Sequence, residues 1–348
     1  MKYTAAYIAD LQEAQANVPH LELLKGKTVL ITGANGLICS ALVDFLLVLN
    51  DTLQMDIRLI LAARSLEKTR ERYGEKLERD DVLFLQYDAM KEFRCETKPD
   101  YIIHGASPAN PKQYAEAPVD TMLANIIGLN NILKYAAENA TQRVLFISSS
   151  EVYGRKEGNE PFHNGEYGLV DVLNARSCYP SAKRACETLC ASYREQYKVD
   201  SVTVRPGHIY GPTATRSDTR ASTQFFYDVL DGHDIVMKSA GSQIRSYCYV
   251  VDCVSAILTV LLNGGVVQAY NISNASSVIT IRELAEMIAN AAGKQIVFEN
   301  PSDKELKGYT SMSNSSLDSE ELEKLGWQGQ FTAQRGITHT LNILKGQS

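Results

Sequence analysis

The amino-acid sequence predicts an α/β fold, a doubly wound parallel sheet with helices on both faces and a smaller carboxy-terminal α/β lobe. Two observations carry this expectation. Short apolar, β-branched segments alternate with helical stretches as far as residue 205, the pattern left by parallel strands joined through crossover helices. The first of those segments, Lys27 to Thr32 (KTVLIT), runs into a glycine-containing turn and then a helix.

The elements follow in order. After a helical lead-in, Lys27 to Thr32 reads as a buried strand and Gly36 to Leu49 as a helix. Strands are expected at Arg58 to Ala63, Val82 to Gln86 and Tyr101 to His104. A long helix spans Val119 to Asn139, then a strand Val144 to Ser148, a helix Tyr179 to Tyr197 and a strand Ser201 to Arg205. Beyond residue 210 short strand segments (Asp234 to Met237, Tyr270 to Ile272) mix with helices (Ile281 to Ala292, Ser319 to Leu325). The expected organisation is a lead-in over 1–26, a dinucleotide-binding domain over 27–205 and a substrate lobe over 206–348 interleaved with it. No internal repeat or low-complexity linker interrupts the chain.

Composition excludes several classes. The 348 residues are 45% hydrophobic and 22% charged, ordinary for a globular protein. The net charge is -6 with no basic run, so nucleic acid is not an expected partner. No apolar run of about 18 residues exists to cross a membrane, and the amino terminus, MKYTAAYIADLQEAQ, is an amphipathic polar segment rather than a signal peptide. The seven cysteines include no C-x-x-C pair. Cys186 and Cys190 lie four apart without further ligands at metal spacing, so they read as reduced core thiols. A reducing, cytoplasmic setting and no metal site are expected.

Thr32-Gly33-Ala34-Asn35-Gly36-Leu37-Ile38-Cys39 joins the first strand to the first helix. Gly33 permits a tight turn, and Gly36 lets backbone approach a pyrophosphate that the helix N-terminus stabilises. This places a Rossmann-type site for NAD, with NADP as the alternative. The third glycine of such loops is here Cys39, which implies a slightly wider helix–strand spacing. The second strand ends Ala63-Arg64-Ser65 without the usual acid, and Arg64 is suited to a 2'-phosphate as well as to plain solvation. Asp88, after the third strand, is placed to accept from an adenine amino group.

Tyr179-Pro180-Ser181-Ala182-Lys183 puts a phenol and an ammonium on one helix face. A nearby cation lowers a phenol's pKa, so Tyr179 is expected to act as a base. The fifth strand ends Ser148-Ser149-Ser150-Glu151, hydroxyls at the carboxyl end of a parallel strand, where they face the ligand crevice. His208 follows a strand end and is read as a pocket hydrogen-bonder, His104 as packing beneath the cofactor, and Trp327 as core.

The motifs TGANGLI, Asp88, HGASPANPKQY, NIIGLNNIL, SSSEVYG, YPSAKR, RPGHIYGP and IRSYCYVVD stand in one order. In that order the chain resembles, over about residues 25 to 340, the extended short-chain dehydrogenase/reductases of the NAD-dependent epimerase/dehydratase group. ASPANPKQY with SSEVYG is most similar to the UDP-glucuronate decarboxylases. The resemblance implies a nucleotide-sugar substrate and a 4-keto intermediate. It implies catalytic roles for Ser149, Glu151 (near sugar carbon 5), Tyr179 and Lys183. Cofactor contacts would come from Gly33, Asn35, Gly36, Leu37, Ile38, Arg64, Asp88, Ala89, Ala106 and Asn125, together with Tyr179 and Lys183. Ser107, Tyr114, Ser150, His208, Arg220 and Arg245 would face the substrate, Arg245 at its diphosphate or ribose. The family also implies a homodimer through a four-helix interface and a role in cell-surface polysaccharide synthesis.

Two departures bear on the reaction. The 4,6-dehydratases have Asp where this chain has Ser150, a far weaker acid, which disfavours loss of water. Decarboxylases have Asn where this chain has His208, and Thr213 to Ser222 (TATRSDTRAS) also departs from their pattern. Decarboxylation of a nucleotide uronate is therefore the leading expectation. Epimerisation, 4,6-dehydration and, given Arg64, NADPH-dependent reduction of a keto sugar are the alternatives.

Overall fold

A computed structural model describes residues 3–109, 111–266, 268–301 and 312–346. Its main sheet has the order β3-β2-β1-β4-β5-β6-β10, every pairing parallel. These strands are β1 (Thr28–Thr32), β2 (Arg58–Ala63), β3 (Val82–Gln86), β4 (Tyr101–His104), β5 (Arg143–Ile147), β6 (Ser201–Pro206) and β10 (Ala269–Ile272). The sequence expectation for β2, β3 and β4 has the same bounds. The strand Tyr270 to Ile272, read within the carboxy-terminal segment, returns to this sheet as its edge beside β6.

Alternation along β1 sorts its side chains between two cores, since successive strand residues face opposite ways. Val29 and Ile31 pack with α2 (Leu37–Leu53) and α8 (Val250–Asn263). Leu30 packs instead with α5 (Pro118–Asn139) and α6 (Cys178–Tyr197). Helix α2 is buried continuously from Cys39 to Leu49 because α8 and the lead-in helix α1 (Ala5–Gln15) cover its outer side. Thr4 caps α1, accepting from the Tyr7 amide at 3.2 Å. Asp10 of α1 then accepts from the Tyr249 hydroxyl at 2.8 Å, fixing the lead-in to the rest of the chain. Helix α8 was not anticipated: VVDCVSAILTVLL is mostly apolar, and the polar stripe of Asp252, Ser255 and Thr259 that marks its helical period is itself buried.

The second lobe is built on β9 (Ile244–Tyr249), which pairs with β7 (His208–Tyr210), β11 (Val278–Thr280) and β13 (Asn314–Ser315). A separate pair joins β8 (Ile235–Met237) to β12 (Ile296–Phe298). Helix α7 (Ala221–Leu230) and helix α9 (Ile281–Ala292), the latter with a full capping box at Thr280 and Glu283, pack on each other. Trp327 is fully buried and donates to Ser255 Oγ at 2.9 Å, a core role as expected.

The room for Cys39 comes from Gly105, at the end of β4. A Cβ on Gly105 would collide with the Cys39 sulfur and meet Ile147 Cδ1 at 3.1 Å. The missing glycine of the turn has thus been moved across to the facing strand. Gly105→Ala is expected to destabilise the protein by about 1–3 kcal/mol through overpacking. Adding Cys39→Ala should return most of that loss, read as the urea midpoint of the single and double variants.

Candidate active site

Strand order reverses between β1 and β4, so their loops part and leave a crevice at the carboxyl ends. On the β1 side Gly33 has φ +72°, and a Cβ there would lie 2.9 Å from the Ala106 backbone, closer than real contacts allow. Gly36 is the N-cap of α2, and no side chain caps this helix, so its first-turn amides are available to an anion. Asn35 Nδ2 donates to Thr69 Oγ1 at 2.9 Å, while its Oδ1 is buried without a partner. A bare helix end and a glycine cradle fit a dinucleotide pyrophosphate. Leu37 and Ile38 begin the helix, and the Leu37 carbonyl accepts from Thr213 Oγ1 of the second lobe at 2.8 Å.

Arg64 is exposed and lines, with Asp88, Lys91 and Arg94, a groove at the end of β3. Ser65 is occupied as the N-cap of α3 (Leu66–Tyr73), accepting from the Lys68 amide at 3.2 Å. Asp88 accepts from the Met90 amide at 3.0 Å. Ala89 sits against Gly128 of α5, where a Cβ would stand 2.9 Å away. Asn125 is buried, donating to Thr121 O at 2.7 Å and accepting from Ser107 Oγ at 2.8 Å, so it orders the loop after β4. His104 packs beneath, its Nδ1 2.9 Å from Thr32 Oγ1, and burial followed by the Lys183 charge pushes its pKa down to about 3.

Beyond β5 the three serines part company. Ser148 Oγ donates to Glu187 at 2.6 Å, behind the site. Ser149 is hydrogen-bonded with the Tyr179 side chain and accepts from the Glu151 amide at 3.2 Å. Ser150 is buried. Tyr179 also bonds Tyr114, which stacks on it with centroids 4.6 Å apart and an interplanar angle of 19°. Burial, then the Glu151 charge, pushes the Tyr179 phenol up to about 12. This corrects one expectation. The phenol is raised rather than lowered although Lys183 is near: the lysine Nζ donates to Ile147 O at 2.8 Å, stands 5.6 Å from the ring centroid, and is itself pushed down to about 8 by burial. The hydrogen bonds with Ser149 and Tyr114 and the charge of Arg220 oppose the shift.

Arg245, 2% exposed, extends from β9 and donates to the carbonyls of Ile244 (2.8 Å) and Met312 (2.9 Å). Arg220 precedes α7 and pairs with Asp218. His208 Nδ1 is buried without a partner, and burial, then Arg245 and Arg220, hold its pKa down to about 3. The structure therefore brings Ser149, Glu151, Tyr179, Lys183, Tyr114, His208, Arg220 and Arg245 toward one crevice, with Arg64 and Asp88 at its far end. Sequence reasoning missed Arg176. It lies on a turn (Ala175–Ser177) before α6 and grips Glu151 with two bonds, 3.1 and 3.2 Å. Its place two residues before Cys178 gave no signal, because the pairing spans separate elements. Among the described residues no cluster of His, Cys, Asp and Glu could hold a metal, all seven cysteines are free, and no helix is long and apolar enough to cross a membrane.

A glycine cradle at a parallel-sheet switch point, facing a Ser/Tyr/Lys set, defines an NAD-dependent enzyme of the extended short-chain dehydrogenase/reductase class. The particular assignment is narrower: residues 29–273 match the NAD dependent epimerase/dehydratase family, and the chain belongs to it. It is 30% identical over 312 residues to UDP-glucuronic acid decarboxylase 3 of Arabidopsis thaliana, covering 89% of this chain and 86% of that protein. It is 27% identical over 322 residues to UDP-glucuronic acid decarboxylase 1 of Xenopus tropicalis, covering 92% of this chain and 72% of that one. In fold it is similar to DesIV, a dTDP-glucose 4,6-dehydratase of Streptomyces venezuelae, with a TM-score of 0.80 and 21% identity over 92% of this chain and 97% of that chain.

The split of the serines can be tested. Ser149→Ala should lower NAD-dependent turnover by about 10²-fold, the low end for a lost proton-transfer partner. Ser148→Ala should leave turnover near wild type and cost about 1–2 kcal/mol in chemical denaturation, through its lost bond to Glu187.

Proposed function

We propose that this chain decarboxylates a nucleotide uronate, a UDP-glucuronate-like sugar, through a 4-keto intermediate. One observation carries the reading: Glu151 stands beside the Ser149–Tyr179 pair while the neighbouring position is a hydroxyl, Ser150, and not an acid. In this reading residues 27–205, completed by α8 and β10, hold the cofactor, and the rest of 206–348 closes over the substrate. Arg245, Arg220 and neutral His208 receive the diphosphate end, where guanidinium groups suit phosphate oxygens.

Bound NAD supplies the acceptor for the carbon-4 hydride and later returns it. Tyr179, as the phenolate, takes the proton of the carbon-4 hydroxyl, and Ser149 bridges that oxygen and the phenol oxygen. Lys183, held on the Ile147 carbonyl beside Tyr179, would bind the ribose of the cofactor. The resulting ketone makes the carboxyl at carbon 5 labile: the C5–C6 bond breaks, carbon dioxide leaves, and the electron pair is held as the enolate. Ser149 donates to that enolate oxygen, and Glu151 passes to carbon 5 a proton taken up from solvent, the one proton that the loss of carbon dioxide consumes. Tyr179 returns its proton when the ketone is reduced. No net oxidant is consumed.

Epimerisation at the same centre is the second reading, favoured by His208 where decarboxylases have Asn. The relatives' shared name supports the first. We further place the enzyme in the cytoplasm, where seven free cysteines persist, serving cell-surface polysaccharide synthesis. We propose that it acts as a homodimer through the outer faces of α5 and α6, where α5 exposes Val119, Met122 and Leu123.

Mass spectrometry of reactions with a panel of nucleotide sugars, with NAD or NADP, tests the proposal. UDP-glucuronate is expected to lose the mass of carbon dioxide without net loss of reduced-cofactor absorbance. Loss of water, an unchanged mass with a new retention time, or stoichiometric oxidation of NADPH would each replace it with dehydration, epimerisation or reduction. Tyr179→Phe should abolish turnover at least about 10²-fold, and unaffected turnover would remove Tyr179 as the base.

A further inference from the structure

We propose that Arg176 is a positioning residue for this reaction: a single guanidinium that aims Glu151 and ties it to the Tyr114–Tyr179 stack. The inference rests on the reading in which Glu151 acts at carbon 5.

The geometry is a continuous stack with a carboxylate at one end. Arg176 Nη1 and Nη2 donate to the two oxygens of Glu151, a fork that fixes the plane of the carboxylate as well as its position. The same guanidinium lies over the Tyr114 ring, 4.7 Å from its centroid, and Tyr114 in turn lies on Tyr179. Three separate elements meet there. Glu151 comes from the turn after β5, Tyr114 from helix α4 (Pro111–Glu116), and Arg176 from the turn that leads into α6. Arg176 touches both of the others, so it couples the carboxylate of Glu151 to the ring stack that carries the phenol.

Other cations cannot take its place. Arg245 faces Glu151 electrostatically but is tied to the carbonyls of Ile244 and Met312. Arg220 is paired with Asp218. Lys183 donates to Ile147 O. Among the described residues, Arg176 is the cation in ion-pair contact with Glu151. Its Nε is buried without a partner, a polar group kept in the site at a cost that surface pairing would avoid. A lysine would supply charge without fork or stacking plane, so the position needs Arg in particular.

Charge gives the fork a second effect. Glu151 is the charge that raises the Tyr179 phenol, and Tyr114 feels it as well. Arg176 beside the carboxylate offsets that field. It also lets a second carboxylate, the one on the substrate, approach Glu151 without facing a bare like charge.

The test is a double-mutant cycle on UDP-glucuronate decarboxylation: wild type, Arg176→Ala, Glu151→Gln and the double variant, with Arg176→Lys alongside. Thermal melts check folding, and Arg176→Gln replaces the alanine variant if that one melts early. Arg176→Ala is expected to lower kcat by about 10²-fold with little change in KM, as a misplaced acid–base group does. Arg176→Lys should recover only part of it. In the Glu151→Gln background, loss of Arg176 should cost almost nothing further, because it acts through Glu151. Equal losses in both backgrounds, or a raised KM with unchanged kcat, would overturn the proposal. If wild type releases no carbon dioxide, the decarboxylase reading fails by itself. The same cycle is then read on whichever nucleotide sugar of the panel is turned over, where additive losses would again overturn the role of Arg176.

Discussion

The reversal of strand order between β1 and β4 is the constraint on which the site depends. Connections leaving the carboxyl ends of these neighbours run in opposite directions, so nothing can fill the space above them. The turn after β1 and the loop after β4 are forced close at their bases, where Gly33 meets Ala106 and the Ala106 amide donates to Thr32 Oγ1 at 3.2 Å. Above that contact they diverge, and α2 presents its uncapped end. The next strands out inherit the opening. β5 delivers Ser149 and Glu151, β6 leads to His208, and α6, running back beneath, brings Tyr179 and Lys183 to the same height.

Burial then decides which groups in that opening carry charge. His104 and His208 are held neutral well below their ordinary range, while Lys183 falls and Tyr179 rises. All four move toward their uncharged forms because desolvation penalises the charged ones. Guanidinium groups resist this, since they are not deprotonated in proteins. The fixed positive field of the crevice therefore belongs to Arg176, Arg220 and Arg245. Two of these are already balanced by carboxylates, Glu151 and Asp218. Arg245 is held by carbonyls instead, which leaves its charge for an anionic ligand in a chain whose net charge is negative.

Legibility followed the range of the forces involved. β2, β3 and β4 could be read to the residue because β-branched apolar runs closed by polar residues report local burial. The glycine turn and the Tyr179–Lys183 spacing are likewise local, as is the capping signal around α9. Elements that pair or pack with distant partners were not legible: α8 is buried on its polar stripe as well as its apolar face, β7 has only three residues, and β9 is completed by strands far away in the chain. The same holds within the site. Tyr179 and Ser149 sit in recognisable words of sequence, whereas Arg176 matters only through Glu151, twenty-five residues earlier in the chain. The expected effect of Lys183 on the phenol failed for a related reason. Helical spacing put both on one face, but the ammonium turned to the Ile147 carbonyl, which sequence spacing does not reveal.

What remains is why this machinery should favour one fate for the ketone. Oxidation at carbon 4 needs only Ser149, Tyr179 and Lys183, and those would serve any substrate with a hydroxyl there. The outcome depends on what carbon 5 can then expel. A hydroxyl on the neighbouring carbon leaves readily only if an acid protonates it, and position 150 offers a buried serine hydroxyl, whose pKa is far too high for that task. A carboxylate leaves as neutral carbon dioxide and needs no acid at all. It asks only that its electron pair be accepted by the ketone and that a proton reach carbon 5 afterwards. A site with Ser150 in place of an acid, Glu151 retained and Arg176 holding Glu151 beside the phenol meets those two requirements and lacks the third. In the proposed reading the absence of the acid disfavours loss of water, and decarboxylation is the fate that asks least of this site.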